Sequence, residues 1–289
     1  MLRKLAAVIF TFALAVSLAA AADIPAAQAK LSAAEIVNRN ISARGGLQAW
    51  RAVQTISMEG KLAAGGNQRA HLPEPMPGKR RTQTIPTDQR PKDEVQLPFT
   101  MEFQRGRKQR FELVFEGKKA LQVYDGNNGW KLRPYLNRLE VEPFTTDELK
   151  ASSMQPDLDG YLVDYASKGI QVALDGMEKV EDRDTYKLKL TLKNGQSLHV
   201  WIDARSYLET KIEGTPRRLD GVEHPVEVYY RDYRTVNGLQ IPFVLETRVV
   251  PIAAQRHSLS SSFPPEKIAI EKVVVNPKFD AALFTKPAI

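Results

Sequence analysis

Cysteine is absent from this sequence of 289 residues. Its absence excludes disulfide bonds, thiol nucleophiles, thiolate metal sites and the acylated cysteine that anchors a bacterial lipoprotein. Histidine is scarce, and His71, His199, His224 and His257 lie far apart, without the i, i+4 spacing around a glutamate that a helical zinc site uses. We therefore predict no metal site and no cofactor.

Motifs of hydrolytic enzymes are missing as well. No serine has the context of a nucleophile elbow, and the cluster from Ser258 to Ser262 is typical of a polar linker. Carboxylates of predicted strands, such as Glu102 and Glu112, alternate onto the polar side, whereas catalytic carboxylates need a cleft that shifts their pKa. We predict no catalytic residues and a protein that is not an enzyme.

Long apolar runs are limited to the amino terminus. Arg3 and Lys4 precede an apolar run from Leu5 to Leu18, and small residues follow to Ala22. A core of about fourteen residues is shorter than the roughly twenty that span a bilayer, and an Ala-x-Ala cleavage site follows at once. We predict a cleaved signal peptide over residues 1–22, export to the periplasm, and one soluble domain over residues 23–289.

Strong charge asymmetry is also lacking, since the formal net charge is only +7 and the basic residues are spread along the chain. A nucleic-acid-binding protein would gather them on one face with aromatic platforms. We therefore predict no nucleic-acid partner.

Two helices are predicted near the start of the domain. Ser32 and Glu35 form a capping box ahead of an apolar stripe, and Gly45 with Gly46 ends the helix. The segment from Leu47 to Val53 offers a second short stripe that suits packing on a sheet.

From Thr55 the apolar period becomes two, which predicts half-buried strands. A stretch from about Gly65 to Pro98 interrupts them with several prolines and the basic run from Lys79 to Arg81. Proline removes an amide donor, so we predict a long mobile loop at about residues 65–98. It is either a basic arm that contacts a membrane surface or a partner, or a solvated insertion.

The second half of the chain predicts hairpins and two short helices. The helices are predicted between Thr145 and Ser167, where the apolar period lengthens. Leucines then alternate with lysines from Tyr186 to Lys193, and Asn194-Gly195 and Asn237-Gly238 are strong hairpin turns. The fold class is therefore mainly β, with a few short helices.

About ten predicted strands carry more inward apolar residues than these helices can cover. A wide, twisted antiparallel sheet must curl or split, and a curled sheet leaves an apolar hollow, although a closed barrel or a packed sandwich satisfies the same pattern. Exposed apolar surface costs about 25 cal/mol per Å², so a hollow is collapsed, closed by a lid or occupied. Broad aromatic and methionine surfaces favour a bound acyl chain. The candidate lining residues are Trp50, Phe99, Met101, Phe103, Phe111, Phe115, Trp130, Leu188, Leu190 and Val200.

Several short motifs together resemble one family, the LolA/LolB-like superfamily of periplasmic lipoprotein carriers, and especially its branch of outer-membrane lipoprotein-sorting proteins. The resemblance implies an unclosed half-barrel of antiparallel strands wrapped around helices that act as a lid, with acyl chains held in the cavity without catalysis. The motifs are Ala43-Arg44-Gly45-Gly46 with Trp50, Asp125-Gly126 before Gly129-Trp130, the hairpin from Tyr186 through Asn194-Gly195 to Trp201-Ile202-Asp203, and Gly238 to Pro242.

Two functions follow as hypotheses. The first is a carrier or chaperone that shields the acyl chains of a lipoprotein or a lipid, with an outer- or inner-membrane protein as a further partner. The second is an envelope sensor or outer-membrane assembly factor of the same shape that binds a protein through the basic loop.

Overall fold

A single antiparallel sheet of 13 strands, which does not close into a barrel, dominates the computed structural model. The structure describes residues 31–65, 94–134, 137–219, 222–250 and 265–288. The predicted signal peptide, residues 66–93 of the predicted loop and the serine cluster lie outside these ranges. Within them, the expected fold class of one curled antiparallel sheet with a few short helices is confirmed.

In the described ranges, two α-helices precede the strands and a third lies between the sixth and the seventh strand. The helices are α1 (Ala33–Ala43), α2 (Leu47–Ala52) and α3 (Thr146–Met154), and a 3₁₀ helix spans Ala281–Phe284. The strands are β1 (Thr55–Gly65), β2 (Glu94–Gln104), β3 (Lys108–Phe115), β4 (Lys118–Tyr124), β5 (Gly129–Arg133), β6 (Arg138–Pro143), β7 (Gln171–Val180), β8 (Arg183–Thr191), β9 (Ser197–Asp203), β10 (Glu209–Leu219), β11 (Val222–Val236), β12 (Leu239–Val249) and β13 (Glu266–Val275).

The strand order is 6-5-4-3-2-1-13-12-11-10-9-8-7. Among the described strands, every neighbouring pair is consecutive in sequence except β1 and β13, which join two meanders in the middle of the sheet. The edges of the sheet are therefore β6 and β7, which follow each other along the chain. The connection between them, residues 144–170, starts at one edge and ends at the other. We call it the crossing segment.

The first helix forms as the capping box predicts. The Ser32 hydroxyl accepts a hydrogen bond from the Glu35 amide at 3.2 Å, and the Glu35 carboxylate accepts one from the Ser32 amide at 2.7 Å. Ile36, Val37 and Ile41 are buried on one face of α1. Gly45 ends the turn at a φ of +114°, and a side chain there would overlap the carbonyl oxygen of Gly238.

Of the two helices predicted between Thr145 and Ser167, the first forms and the second does not. A capping box between Thr145 and Glu148 starts α3, but residues 158–169 form successive turns. Pro156 cannot donate to a continuing helix, and Gly160 and Asp164 have φ values of 83° and 51°. Their backbone therefore leaves the right-handed helical region.

The predicted loop extends too far at its carboxyl end. Gly65 belongs to β1, and residues 94–98 pair with residues 61–65 as the first half of β2. Pro98 is tolerated in this strand because the β2–β3 pairing begins only at Phe99, so no neighbour on that side needs an amide donor from Pro98.

The outer face of the second meander carries an aromatic and ionic network. Trp201, Tyr229 and Val180 form a buried cluster, and the Lys211 ammonium lies 3.8 Å from the centre of the Trp201 ring. Glu181, in the β7–β8 turn, pairs with Arg231 at 2.5 Å and with Arg248 at 3.0 Å. The turn is thereby tied to β11 and β12, beyond its own neighbours in the sheet.

Stability at acid pH is expected to depend on Glu181. Hydrogen bonds from Arg231 and then from Arg248 lower the pKa of Glu181 from 4.5 to about 2 in the folded protein. Its contribution to stability is therefore present above pH 4.5 and is lost as the pH falls towards 2. The fall in Tm over this window should be smaller in Glu181→Gln, measured by circular dichroism. The exposed Glu223→Gln is the control, and equal pH profiles for both variants would refute the expectation.

Candidate functional site

A hollow of about 260 Å³ lies between the inner face of the sheet and the crossing segment, and it is partly open to solvent. Strands of both meanders line it, together with residues 155–162. The lining residues are Arg44, Ile56, Met58, Met101, Phe103, Gln109, Gln155, Pro156, Asp157, Leu158, Gly160, Tyr161, Leu162, Val200, Glu209, Ile212, Tyr230, Pro242, Leu245 and Ile270.

The apolar wall follows from strand alternation and register. Ile56 pairs with Phe103 and Met58 with Met101, so these four side chains share the inner face of β1 and β2. On the outer face of the neighbouring strand, Arg110 bonds to Glu102 at 2.7 Å. The period of two therefore separates an apolar inner side from an ionic outer side, as the sequence predicts.

A second, smaller hollow of about 110 Å³ continues the first beneath α3. The two share Met101, Phe103 and Gln109, and the smaller one adds Phe111 and Phe144. α3 has no buried residue of its own. It is attached to β5 mainly through Glu148, whose carboxylate bonds to Lys131 at 2.5 Å and to Arg133 at 2.7 Å.

A buried carboxylate fastens the crossing segment over the larger hollow. Asp159 is 2% exposed and bonds to Arg105 at 2.8 Å and to Lys168 at 2.6 Å. Arg105 also donates to the carbonyl oxygens of Trp50 and Val53. The segment is thus tied to the β2–β3 turn and to the end of α2.

An ion pair interrupts the apolar wall. Arg44, directly after α1, and Glu209, at the start of β10, approach to 3.4 Å with side chains 9% and 14% exposed. The Arg44 guanidinium stacks 4.4 Å from the centre of the Trp50 ring and donates to the Asp159 carbonyl at 3.2 Å. Both charges therefore sit at the edge of a largely apolar space.

Tyrosine hydroxyls near this pair stay protonated at neutral pH. Burial raises the pKa of Tyr161 to about 12 and also raises the pKa of Tyr230. Burial likewise raises the pKa of Tyr233, whose hydroxyl donates to the Glu209 carbonyl at 3.0 Å. These groups can donate hydrogen bonds but add no charge to the wall.

The structure brings some of the candidate lining residues together. Met101, Phe103 and Val200 line the larger hollow, and Phe111 lines the smaller one. Phe99 stacks against Phe111 with ring centres 6.1 Å apart. Their role as ligand contacts stays a prediction.

The other candidate residues lie apart from the two hollows. Leu188 and Leu190 are fully buried on the inner face of β8, and Trp50 is covered by Arg44. Phe115 shares the inner face of β3 but lies outside both linings. Register places Trp130 opposite Val123 and therefore on the outer face, because its neighbour Lys131 aligns with Gln122 and Phe111.

Sequence reasoning missed Arg44 and Glu209 as wall residues. Arg44 stands in the motif that carries the family resemblance, and this was its only signal. Glu209 lies in β10, a strand that was not predicted because Gly214 and Pro216 interrupt its pattern.

The described residues contain no cluster of histidine and acidic side chains that could hold a metal ion. None of the helices in the same ranges has the length and apolar character that a bilayer crossing requires.

Comparison with solved structures identifies the architecture. The LolA superfamily protein NE2245 from Nitrosomonas europaea superposes with a TM-score of 0.51 at 11% identity, over 89% of this chain and 98% of that one. The chain has a LolA-like fold. The resemblance read from the sequence motifs is thereby confirmed at the level of the fold.

Two further structures are similar at lower scores. A DUF1329 family protein from Desulfovibrio piger has a TM-score of 0.48 at 11% identity, covering 86% of this chain and 95% of its own. A putative outer membrane lipoprotein-sorting protein domain from Vibrio parahaemolyticus has a TM-score of 0.48 at 12% identity, covering 88% and 96%. No protein-family model matches this chain, and no curated protein matches its sequence.

Removing the carboxylate of Asp159 should weaken the whole domain. Asp159→Asn leaves Arg105 and Lys168 without their shared anion, and breaking a buried ion pair costs about 3–5 kcal/mol. Asp164→Asn is the control in the same segment, because Asp164 pairs with the exposed Arg51 and such surface pairs contribute about 0–1 kcal/mol. Urea unfolding would measure both free energies, and equal losses would contradict a fastening role for Asp159.

Proposed function

We propose that the LolA-like chain is a non-catalytic carrier that shields the acyl chains of a lipid or a lipoprotein inside the hollow on its inner sheet face. The observation that carries the proposal is an apolar space of about 260 Å³ between an unclosed sheet and the crossing segment. Binding there is hydrophobic burial, at roughly 25 cal/mol per Å² removed from water.

The volume of the hollow limits the length of the guest that fits into it. Pockets that enclose a drug-sized ligand measure about 300–1,000 Å³, so the hollow can take part of one acyl chain as it stands. A longer guest has to extend beneath α3 into the smaller hollow. Because α3 has no fully buried side chain, its displacement would expose little apolar surface of the helix itself.

The proposal includes a cellular location. The amino-terminal residues 1–22 have the composition of a cleaved signal peptide and would direct the chain to the periplasm. A carrier there would exchange its guest with a protein of the inner or the outer membrane.

Native cargo provides the direct test. The full chain is expressed with its own amino terminus, purified from the periplasm without detergent, and extracted for mass spectrometry. The extract is expected to contain acyl lipid, and the emptied protein should enhance the fluorescence of the uncharged probe N-phenyl-1-naphthylamine. The carrier function would be refuted if the extract contained no lipid and the emptied protein caused no change in fluorescence.

Filling the hollow should weaken binding without harming the fold. Met58→Trp places a larger ring in the wall of the larger hollow, so the affinity for N-phenyl-1-naphthylamine should fall by about tenfold or more. Ser57→Trp adds the same side chain one residue away on the outer face, where β1 pairs Ser57 with Glu102. It should bind as the native chain does. Equal affinities of the two variants in fluorescence titration would place the binding site elsewhere.

A further inference from the structure

Charge is unevenly distributed along the wall of the larger hollow. Of the described residues that line it, Arg44, Asp157 and Glu209 are the charged ones, which gives one cation against two carboxylates. The Asp157 carboxylate already has hydrogen-bond partners, because its two oxygens accept from the amides of Gly106 at 3.1 Å and Leu158 at 2.8 Å. Arg44 and Glu209 remain as the charged groups able to meet a guest.

The contact between Arg44 and Glu209 is long for an ion pair. Charge-assisted hydrogen bonds between nitrogen and oxygen measure about 2.7–2.9 Å, whereas this pair stands at 3.4 Å. The backbone and ring contacts of Arg44 fix the guanidinium, and the Tyr233 hydroxyl holds the Glu209 backbone. The two charges are thus held beside each other without a tight bond, next to the apolar space.

Such a pair favours one kind of polar group over others. A carboxylate or phosphate entering the hollow would meet Arg44 already paired with Glu209, whose carboxylate repels it. A cationic amine would meet Glu209 already paired with Arg44, and an ammonium group has no lone pair that could accept a hydrogen bond from the guanidinium. A neutral group with both an acceptor and a donor can use both residues, because Arg44 donates to a carbonyl and Glu209 accepts from a hydroxyl or an amide N–H.

We propose that the Arg44–Glu209 pair is a headgroup subsite that selects guests whose polar end is an uncharged acyl ester or amide carrying a hydrogen-bond donor. The proposal rests on the carrier function and specifies its ligand class. Tyr230 adds a protonated hydroxyl to the same wall and can serve the same guests. Free fatty acids and single-chain amines are then poor ligands, although their chains would fit as well.

Competition among three amphiphiles with the same chain tests this selectivity. Monolaurin, laurate and laurylamine, each below its micelle concentration, displace N-phenyl-1-naphthylamine from the full chain at pH 7. Monolaurin is expected to bind about tenfold more tightly than either charged competitor, the factor that one hydrogen bond to a charged group supplies. Laurate or laurylamine binding as tightly as monolaurin overturns the proposal.

The variant Glu209→Gln separates the subsite from general hydrophobic binding. It leaves the Arg44 charge without its counterion, so the affinity for laurate should rise by about tenfold relative to the affinity for monolaurin, both measured by displacement of the probe from the same variant. Glu213→Gln is the matched control, four residues along β10 on the outer face, where Glu213 contacts His199 at 3.0 Å. The subsite is contradicted if the ratio of the affinities for laurate and monolaurin is the same in Glu209→Gln as in the native chain. The carrier function itself is refuted if the native chain binds no probe at all.

Discussion

β1 and β13 come from opposite ends of the described chain and pair antiparallel from Ile56 with Val275 to Leu62 with Ile268. This pairing turns two meanders, each built of neighbours in sequence, into one sheet. It also decides which strands become the edges. Because β6 and β7 are left at the two margins, the residues between them have to pass from one margin to the other.

The crossing segment is therefore required by topology, and its sequence suits the task. It contributes Leu162, Val163 and Ile170 to the buried core. Polar anchors fix its position as well: Asp159 bonds to Arg105 and Lys168, and Glu148 bonds to Lys131. Anchors of this kind fix position through direction and charge, and they leave the space underneath unfilled.

The fold was largely predictable where the pattern was local. The capping box of α1, the alternation of β8 and the Asn-Gly turns each depend on a few adjacent residues, and the structure confirms them. β6, β7 and β10 were missed because an edge strand such as β7 exposes most of its residues, and because β10 contains Gly214 and Pro216. Pairing across the sheet, which stabilises these strands, leaves no periodic mark in a single sequence.

The site was predictable only in part, for the same reason. Alternation placed Met101, Phe103 and Val200 on the inner face, but Trp130 lies on the other face because regular pairing aligns it with Val123 of β4 and, through Val123, with Arg110 of β3. Arg44 and Glu209 are 165 residues apart and meet through the tertiary fold. No local pattern reports such a meeting.

The outer network of the second meander has a mechanical consequence. Lys211 over Trp201, Arg248 over Tyr229 and the bonds of Glu181 to both β11 and β12 brace this part of the sheet from outside, so bending it would break several contacts at once. The first meander carries the ion pairs of Arg110 on its outer face, of which one joins β3 to the adjacent β2 and the other stays within β3. If a guest enlarges the hollow, the first meander and the crossing segment are therefore expected to move, while the second meander keeps its shape.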